Sequence, residues 1–238
     1  MIIALGRTDS YLQRSYEHNR RKALVFLLSG IFLMVLGGTV IGGFSPSWEV
    51  IVIVLGLASL AISWNYLKRS LNYRAGMEGE RAVVEALYAL DDNYCLVNDV
   101  VKSGRGGNID HVLLGPHAVF AIETKNYSGD IRCNGDQWRK KGRRRLYPID
   151  SVSKQAQHNA KYLYGLISKK TNIRAPVIPI CVFTNPSVDL KLRKPTVKVL
   201  RLHELVAFVQ EAEPLTHLSA LQTQAIVHCI LEEPGEKT

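Results

Sequence analysis

Two uncharged apolar runs near the start of the chain, residues 23–44 and 50–67, restrict the fold more than any other feature. They hold 22 and 18 residues. At a helical rise of about 1.5 Å per residue, both meet the length needed to cross a hydrocarbon core about 30 Å thick. Residues 23–67 carry a single charge, Glu49, which is foreign to the interior of a domain in a chain of 238 residues. A cleaved signal peptide is the competing account of the first run, but its apolar part exceeds the usual ~7–15 residues and no Ala-x-Ala-like site follows. The sequence therefore predicts a transmembrane helical hairpin, with the bilayer as a partner through residues 23–67.

Basic residues flank the outer ends of the pair, Arg20-Arg21-Lys22 before it and Lys68-Arg69 after it, whereas the link from Ser45 to Glu49 has none. By the positive-inside rule both termini and the bulk of the chain lie on the cytoplasmic side of the inner membrane. Trp48, Trp64 and Tyr66 fall where interfacial aromatics sit, and Gly37-Gly38 and Gly42-Gly43 permit close helix packing. The four cysteines, Cys95, Cys133, Cys181 and Cys229, are widely spaced with no CxxC pair, and are read as reduced thiols, which suits that compartment.

Beyond the hairpin, residues 108–126 (NIDHVLLGPHAVFAIETKN) read as two apolar strands, 109–114 and 119–125, joined by a turn of two or four residues around Pro116 and His117. Either turn gives one register, in which Leu114 faces Val119 and Asp110 faces Glu123. Opposed β-carbons lie roughly 4.5 to 5.5 Å apart, where like charges repel. Period 2 puts Lys125 on the face of Glu123. A bound divalent cation turns such carboxylate repulsion into coordination; the plainer reading is a charged strand end in which Lys125 neutralises Glu123.

The remaining elements follow in order. Residues 76–90 are helical, with Met77, Glu80, Val84 and Leu87 on one stripe, so Glu80 faces inward or serves as a first-turn glutamate favoured by the helix dipole. Residues 94–101 form a strand and 102–107 a flexible basic loop containing Arg105. A short strand near 130–133 precedes Trp138 and a run of six cations in seven positions, Arg139, Lys140, Lys141, Arg143, Arg144 and Arg145. An exposed loop of this charge suits phosphodiester backbone, with anionic lipid as the rival. Asp150 or Ser151 caps a helix with Val152, Ala156, Ala160, Leu163 and Ile167 on its apolar stripe and Gln155 and Asn159 one turn apart beside it. Strands at 176–184 and 196–200 and helices at 203–210 and 215–231 complete the chain.

Asp110, Glu123, Thr124 and Lys125 resemble the D and ExK elements of the PD-(D/E)xK nuclease superfamily. With Gly76-Met77-Glu78-Gly79-Glu80, Asp110-His111, Gly115-Pro116, Gly129 and Trp138, residues 74–185 resemble the nuclease-related domain (NERD) family. The resemblance implies an α/β fold with a restriction-endonuclease-like αβββαβ core, a mixed sheet flanked by helices, over residues 74–200, followed by a helical extension, 201–238. It further implies a metal site formed by Asp110, Glu123, the Thr124 carbonyl and Glu80, and a helix-borne glutamine, Gln155, near the active site.

All-oxygen ligands favour Mg²⁺ or Mn²⁺. The expected activity is metal-dependent hydrolysis of nucleic acid, DNA by preference, with Lys125 positioning or deprotonating the attacking water and the cationic run, with Arg105, holding the strand. Two alternatives stand beside it: a non-cutting nuclease-fold module that binds nucleic acid or scaffolds partners at the membrane, and a lipid-facing role for the basic run.

Overall fold

A computed structural model describes residues 2–4, 11–39, 46–103 and 107–232. In chain order these form β1 (Ile2–Ala4), α1 (Tyr11–Thr39), α2 (Pro46–Leu87), β2 (Cys95–Val101), β3 (Asn108–Leu114), β4 (Val119–Lys125), β5 (Gly129–Asn134), β6 (Gln137–Lys141) and β7 (Leu146–Ile149). Then come α3 (Val152–Thr171), β8 (Val177–Phe183), β9 (Val188–Arg193), β10 (Lys198–Arg201), a 3-10 turn (Leu202–Glu204), α4 (Leu205–Glu211) and α5 (Ala220–Leu231). Two compact units emerge: residues 9–77, and the rest of the described chain including β1.

The first unit packs α1 on α2 through small and polar side chains and turns its large apolar ones outward. A β-carbon added at Gly30 would lie 2.8 Å from Leu60 Cδ2 and 3.1 Å from the Gly56 carbonyl, so the two backbones approach closely there. Ser59 Oγ donates to the Phe26 carbonyl at 2.7 Å and Ser63 Oγ to that of Ala23 at 2.7 Å. Phe32, Val35, Val50, Val54 and Leu57 are exposed. That inverts a water-soluble protein, where large apolar side chains supply the core. One helix among the described residues, Trp48–Leu87, is long and apolar enough to cross a membrane, and only 17% of its most apolar window is buried.

The hairpin differs from its sequence reading in three places. The first run was expected to reach residue 44, but α1 is described only to Thr39, and Gly42, Gly43 and Ser45 lie outside the described residues. Close packing occurs at Gly30 and Gly56, which the sequence did not single out, while Gly37 meets Val52 and Ile53 at ordinary 3.4 Å contact. Pro46 and Glu49, assigned to the link, occupy the first turn of α2, where the fixed φ of proline and a negative charge both favour a helix start. Nor does a new helix begin at Gly76, because residues 68–75 contain neither proline nor glycine and α2 continues through them.

The second unit is built on a six-stranded mixed sheet in the order β1-β2-β3-β4-β8-β10. Strands β2, β3 and β4 are antiparallel neighbours, whereas β4, β8 and β10 run parallel. Val97, Val112, Val119 and Ala121 pack on one face against Leu163 and Ile167 of α3 and Ile226 of α5. Leu96, Leu113, Phe120 and Ile122 pack on the other against Val83 and Leu87 of α2 and Leu205 of α4. The order α2-β2-β3-β4-α3-β8 is consistent with the expected αβββαβ core. β1, which pairs with β2 through Ile2 and Cys95, was not anticipated in the polar leader.

A second sheet, β7-β6-β5-β9, is the larger departure. The basic run is not one exposed loop: Arg139, Lys140 and Lys141 lie in β6, and only Arg143, Arg144 and Arg145 form the turn into β7. Trp138 makes the difference, since it is buried and anchors β6 in a core with Ile131, Phe183 and Val188. β9 was missed although its text, Val-Asp-Leu-Lys-Leu-Arg, alternates strictly.

Candidate functional site

The β3–β4 hairpin closes through the Gly115 N–H donating to the Ala118 carbonyl at 2.9 Å, which leaves Pro116 and His117 at the tip. Gly115 is required there because a β-carbon would stand 2.7 Å from Tyr94 Cε1. The register runs from Leu114↔Val119 to His111↔Ile122 and stops one step before Asp110 and Glu123. At that step the Asp110 carboxylate accepts the backbone N–H of Thr124 through Oδ2 at 2.8 Å.

Alternation along β4 sends Glu123 and Lys125 toward α3, after Val119 and Ala121. Glu123 is 1% exposed. Its Oε1 accepts from Lys125 Nζ at 2.5 Å and its Oε2 from Asn159 Nδ2 at 3.0 Å. Lys125 Nζ also donates to Gln155 Oε1 at 3.2 Å, and Lys102 Nζ to Asn159 Oδ1 at 2.8 Å. The structure therefore joins Glu123, Lys125 and Gln155 in one hydrogen-bonded group, with Asp110 beside it.

Glu80 enters from α2 on the opposite face. Its neighbour Gly79 permits the approach: a β-carbon there would lie 2.9 Å from Thr184 Oγ1 and 3.0 Å from Asn126 Cβ, at the end of β4. Burial pushes the Glu80 carboxyl up to about 7, helped by the charges of Asp99 and Glu123. Burial, then the charges of Glu123 and Glu80, hold Asp110 well above the usual carboxylate range. Burial also raises Glu123 against the opposing pull of Lys125. Burial works against the Lys125 ammonium, yet the carboxylates of Glu123 and Asp110 outweigh it and keep the lysine charged.

Sequence reasoning overlooked Asp99 and carried His111 only as part of the family motif beside Asp110. Asp99 has a left-handed φ of 52°. It interrupts the β2–β3 ladder between Asn98↔His111 and Val100↔Ile109 and accepts from the Asn108 side-chain amide. The signal was an Asn-Asp pair inside apolar strand text, since Asp and Asn tolerate this conformation best among side-chain-bearing residues. His111 is buried with Nδ1 2.7 Å from Asn98 Oδ1. Burial lowers it to about 3, so the ring is neutral.

Glu80 sets a testable pH dependence. Between its ordinary 4.5 and about 7 the folded protein keeps a proton that the unfolded chain releases, so this contribution to stability falls as pH rises through the window. The accumulated cost above pH 7 is at most about 3 kcal/mol. Glu80→Gln is expected to raise the thermal midpoint at pH 8 and leave it unchanged at pH 4. His111 titrates alike in both proteins and cancels from the comparison. An equal shift at both pH values would refute the assignment.

Four carboxylates, Glu80, Asp99, Asp110 and Glu123, thus interact electrostatically at one end of the sheet, with all-oxygen chemistry that suits a hard divalent cation. They are not gathered as a ligand set: among the described residues no three His, Cys, Asp or Glu side chains stand around one point. Thr124 gives its amide to Asp110, and its hydroxyl is buried without a hydrogen-bond partner.

Of the cations, Arg139 and Lys141 point outward from β6, and Arg143, Arg144 and Arg145 are exposed in the turn closed by the Gly142 N–H donating to Arg145 O at 2.9 Å. Lys140 is partly covered, with its ammonium 5.4 Å from the Tyr127 ring centroid. Arg105 lies outside the described residues.

Residues 75–184 match the family profile of the nuclease-related domain, NERD. No curated protein and no solved structure matches the chain.

Proposed function

Starting from a nuclease-related domain over residues 75–184, we propose that the chain is a membrane-anchored, divalent-metal-dependent nuclease that hydrolyses phosphodiester bonds of DNA on the cytoplasmic side. One observation carries the reading: a buried Glu123–Lys125 pair at 2.5 Å stands beside Asp110, whose carboxyl burial and neighbouring charge hold well above its usual range. Packing forces these groups together at an energetic cost, and perturbed titratable groups of this kind concentrate at functional sites.

Asp110, Glu123 and the Thr124 carbonyl would hold Mg²⁺ or Mn²⁺, with Glu80 reaching the ion directly or through water. Once bound, the ion supplies neutralisation of developing phosphate charge and a lowered pKa for water. Lys125 holds and orients that water through its ammonium, and Gln155 restrains Lys125 from α3. Arg105, Arg139, Lys140, Lys141, Arg143, Arg144 and Arg145 bind the phosphate backbone.

The apolar hairpin anchors the protein through 23–44 and 50–67, with 1–22 as a basic cytoplasmic leader, 74–200 as the nuclease-like domain and 201–238 as a helical extension. Lys22 and Arg69 both lie over the Tyr66 ring, at 5.4 Å and 5.9 Å, which supports a shared basic end for the two helices.

A second reading, a non-cutting module that binds nucleic acid or scaffolds partners, draws on a specific observation: both oxygens of Glu123 are already engaged, by Lys125 and Asn159. The two separate by incubating the full chain in detergent with linear, circular and single-stranded DNA and with RNA, with and without Mn²⁺. Mn²⁺-dependent cleavage that Asp110→Ala abolishes is the expected result. No cleavage of any substrate, with retained DNA binding, would select the module.

A further inference from the structure

We propose that Asn159 and Lys102 are positioning residues that set the orientation of the Glu123 carboxylate for metal binding, an inference that rests on the metal-dependent nuclease reading. Glu123 is gripped from two elements: Lys125 on its own strand takes Oε1, and Asn159 on α3 takes Oε2. Asn159 is itself 1% exposed, so its amide has no access to solvent as an alternative partner.

The two ends of that amide differ chemically. Nδ2 donates to Glu123 at 3.0 Å, and Oδ1 accepts from Lys102 Nζ at 2.8 Å. A flipped amide would set donor against ammonium and acceptor against carboxylate, so the Lys102 charge selects the amide orientation and the amide selects the carboxylate plane. Lys102 is in turn held at the end of β2, where its N–H donates to the Gly107 carbonyl at 3.2 Å and the next residue, Ser103, donates its N–H to Tyr162 on α3 at 3.0 Å.

Each carboxylate oxygen has two acceptor sites. With one donor per oxygen, Glu123 retains acceptor capacity on each, and a carboxylate fixed in its plane holds that capacity in a fixed orientation. This arrangement of a ligand oriented by an outer partner is the kind whose loss weakens metal binding.

The test uses the full chain in detergent, as wild type, Asn159→Ala, Lys102→Met and Lys102→Arg. Mn²⁺ binding is measured by electron paramagnetic resonance without nucleic acid, and cleavage is measured against Mn²⁺ and DNA concentration. Asn159→Ala and Lys102→Met are expected to weaken Mn²⁺ binding by roughly tenfold or more and raise the Mn²⁺ requirement while the KM for DNA stays unchanged. Lys102→Arg, which still donates to Oδ1, restores binding.

A purely structural role would lower the thermal midpoint and leave Mn²⁺ binding alone. Folded Lys102→Met with wild-type Mn²⁺ affinity overturns the proposal, and this partly exposed position keeps the test decisive even when Asn159→Ala does not fold. Wild-type protein that binds no Mn²⁺ overturns the nuclease reading together with this one. Wild-type binding with unaffected variants overturns this one alone.

Discussion

Lys125→Ala is expected to reduce Mn²⁺-dependent cleavage by ~10²–10³-fold, the range for loss of a preorganised hydrogen-bond donor at the reacting centre, while DNA binding persists through cations on β6 and its turn. The same substitution removes the ammonium 2.5 Å from Glu123 Oε1, leaving a carboxylate with 1% exposure that keeps only the Asn159 bond. Breaking a buried pair by deleting one partner costs roughly 3–5 kcal/mol. The lower end applies, since the Lys102 charge still acts on Glu123.

Binding and cleavage therefore have to be measured on folded protein, with the thermal midpoint determined alongside. Cleavage at the wild-type rate would reject the role of Lys125. Loss of binding and cleavage together in a folded variant would show that Lys125 serves substrate attachment instead.

Trp138→Ala should give the largest loss of stability, about 3–5 kcal/mol by analogy with buried aromatic truncations. Trp138 is 2% exposed, stacks on Phe183 with ring centroids 5.6 Å apart, and donates Nε1–H to Ser153 Oγ at 2.9 Å in the first turn of α3. With Ile131, Cys133 and Val188 it ties the second sheet to β8 and to the helix carrying Gln155 and Asn159. Trp138→Phe keeps an aromatic ring, gives up part of the indole's volume, and loses the hydrogen bond, itself worth about 1 kcal/mol. Denaturant unfolding of the two variants checks the ratio. Equal losses would mean that the hydrogen bond, not the ring, holds the second sheet.

The hairpin and its charged end were readable because both depend on short-range rules. Apolar alternation gave the strands, and Gly115-Pro116 gave the turn. The period of 2 then put Lys125 on the face of Glu123 before any contact was known. Gln155 and Asn159 were also visible as neighbours one helical turn apart, and the family resemblance singled out Gln155 alone. The fold uses both: Gln155 on Lys125 and Asn159 on Glu123.

Trp138 shows where the reading stopped short. Its six cationic neighbours dominated the local pattern, and the alternation that makes β6 a strand was read as a solvated loop. Asp99 was passed over for a related reason, since its left-handed backbone breaks the strand period that makes residues legible.

Taken alone, the amino-acid order determined the outward-facing apolar helices, the β3–β4 register and the residue types at its open end, because those depend on hydrophobic length and side-chain alternation within a few positions. Tertiary structure decided the rest. Glu80 reaches the carboxylates through the close approach that Gly79 allows, and the Lys102–Asn159 grip on Glu123 joins positions 57 and 36 residues apart. Such partners are chosen by which faces the core buries together, a property of the packed sheet and helices that no local pattern carries.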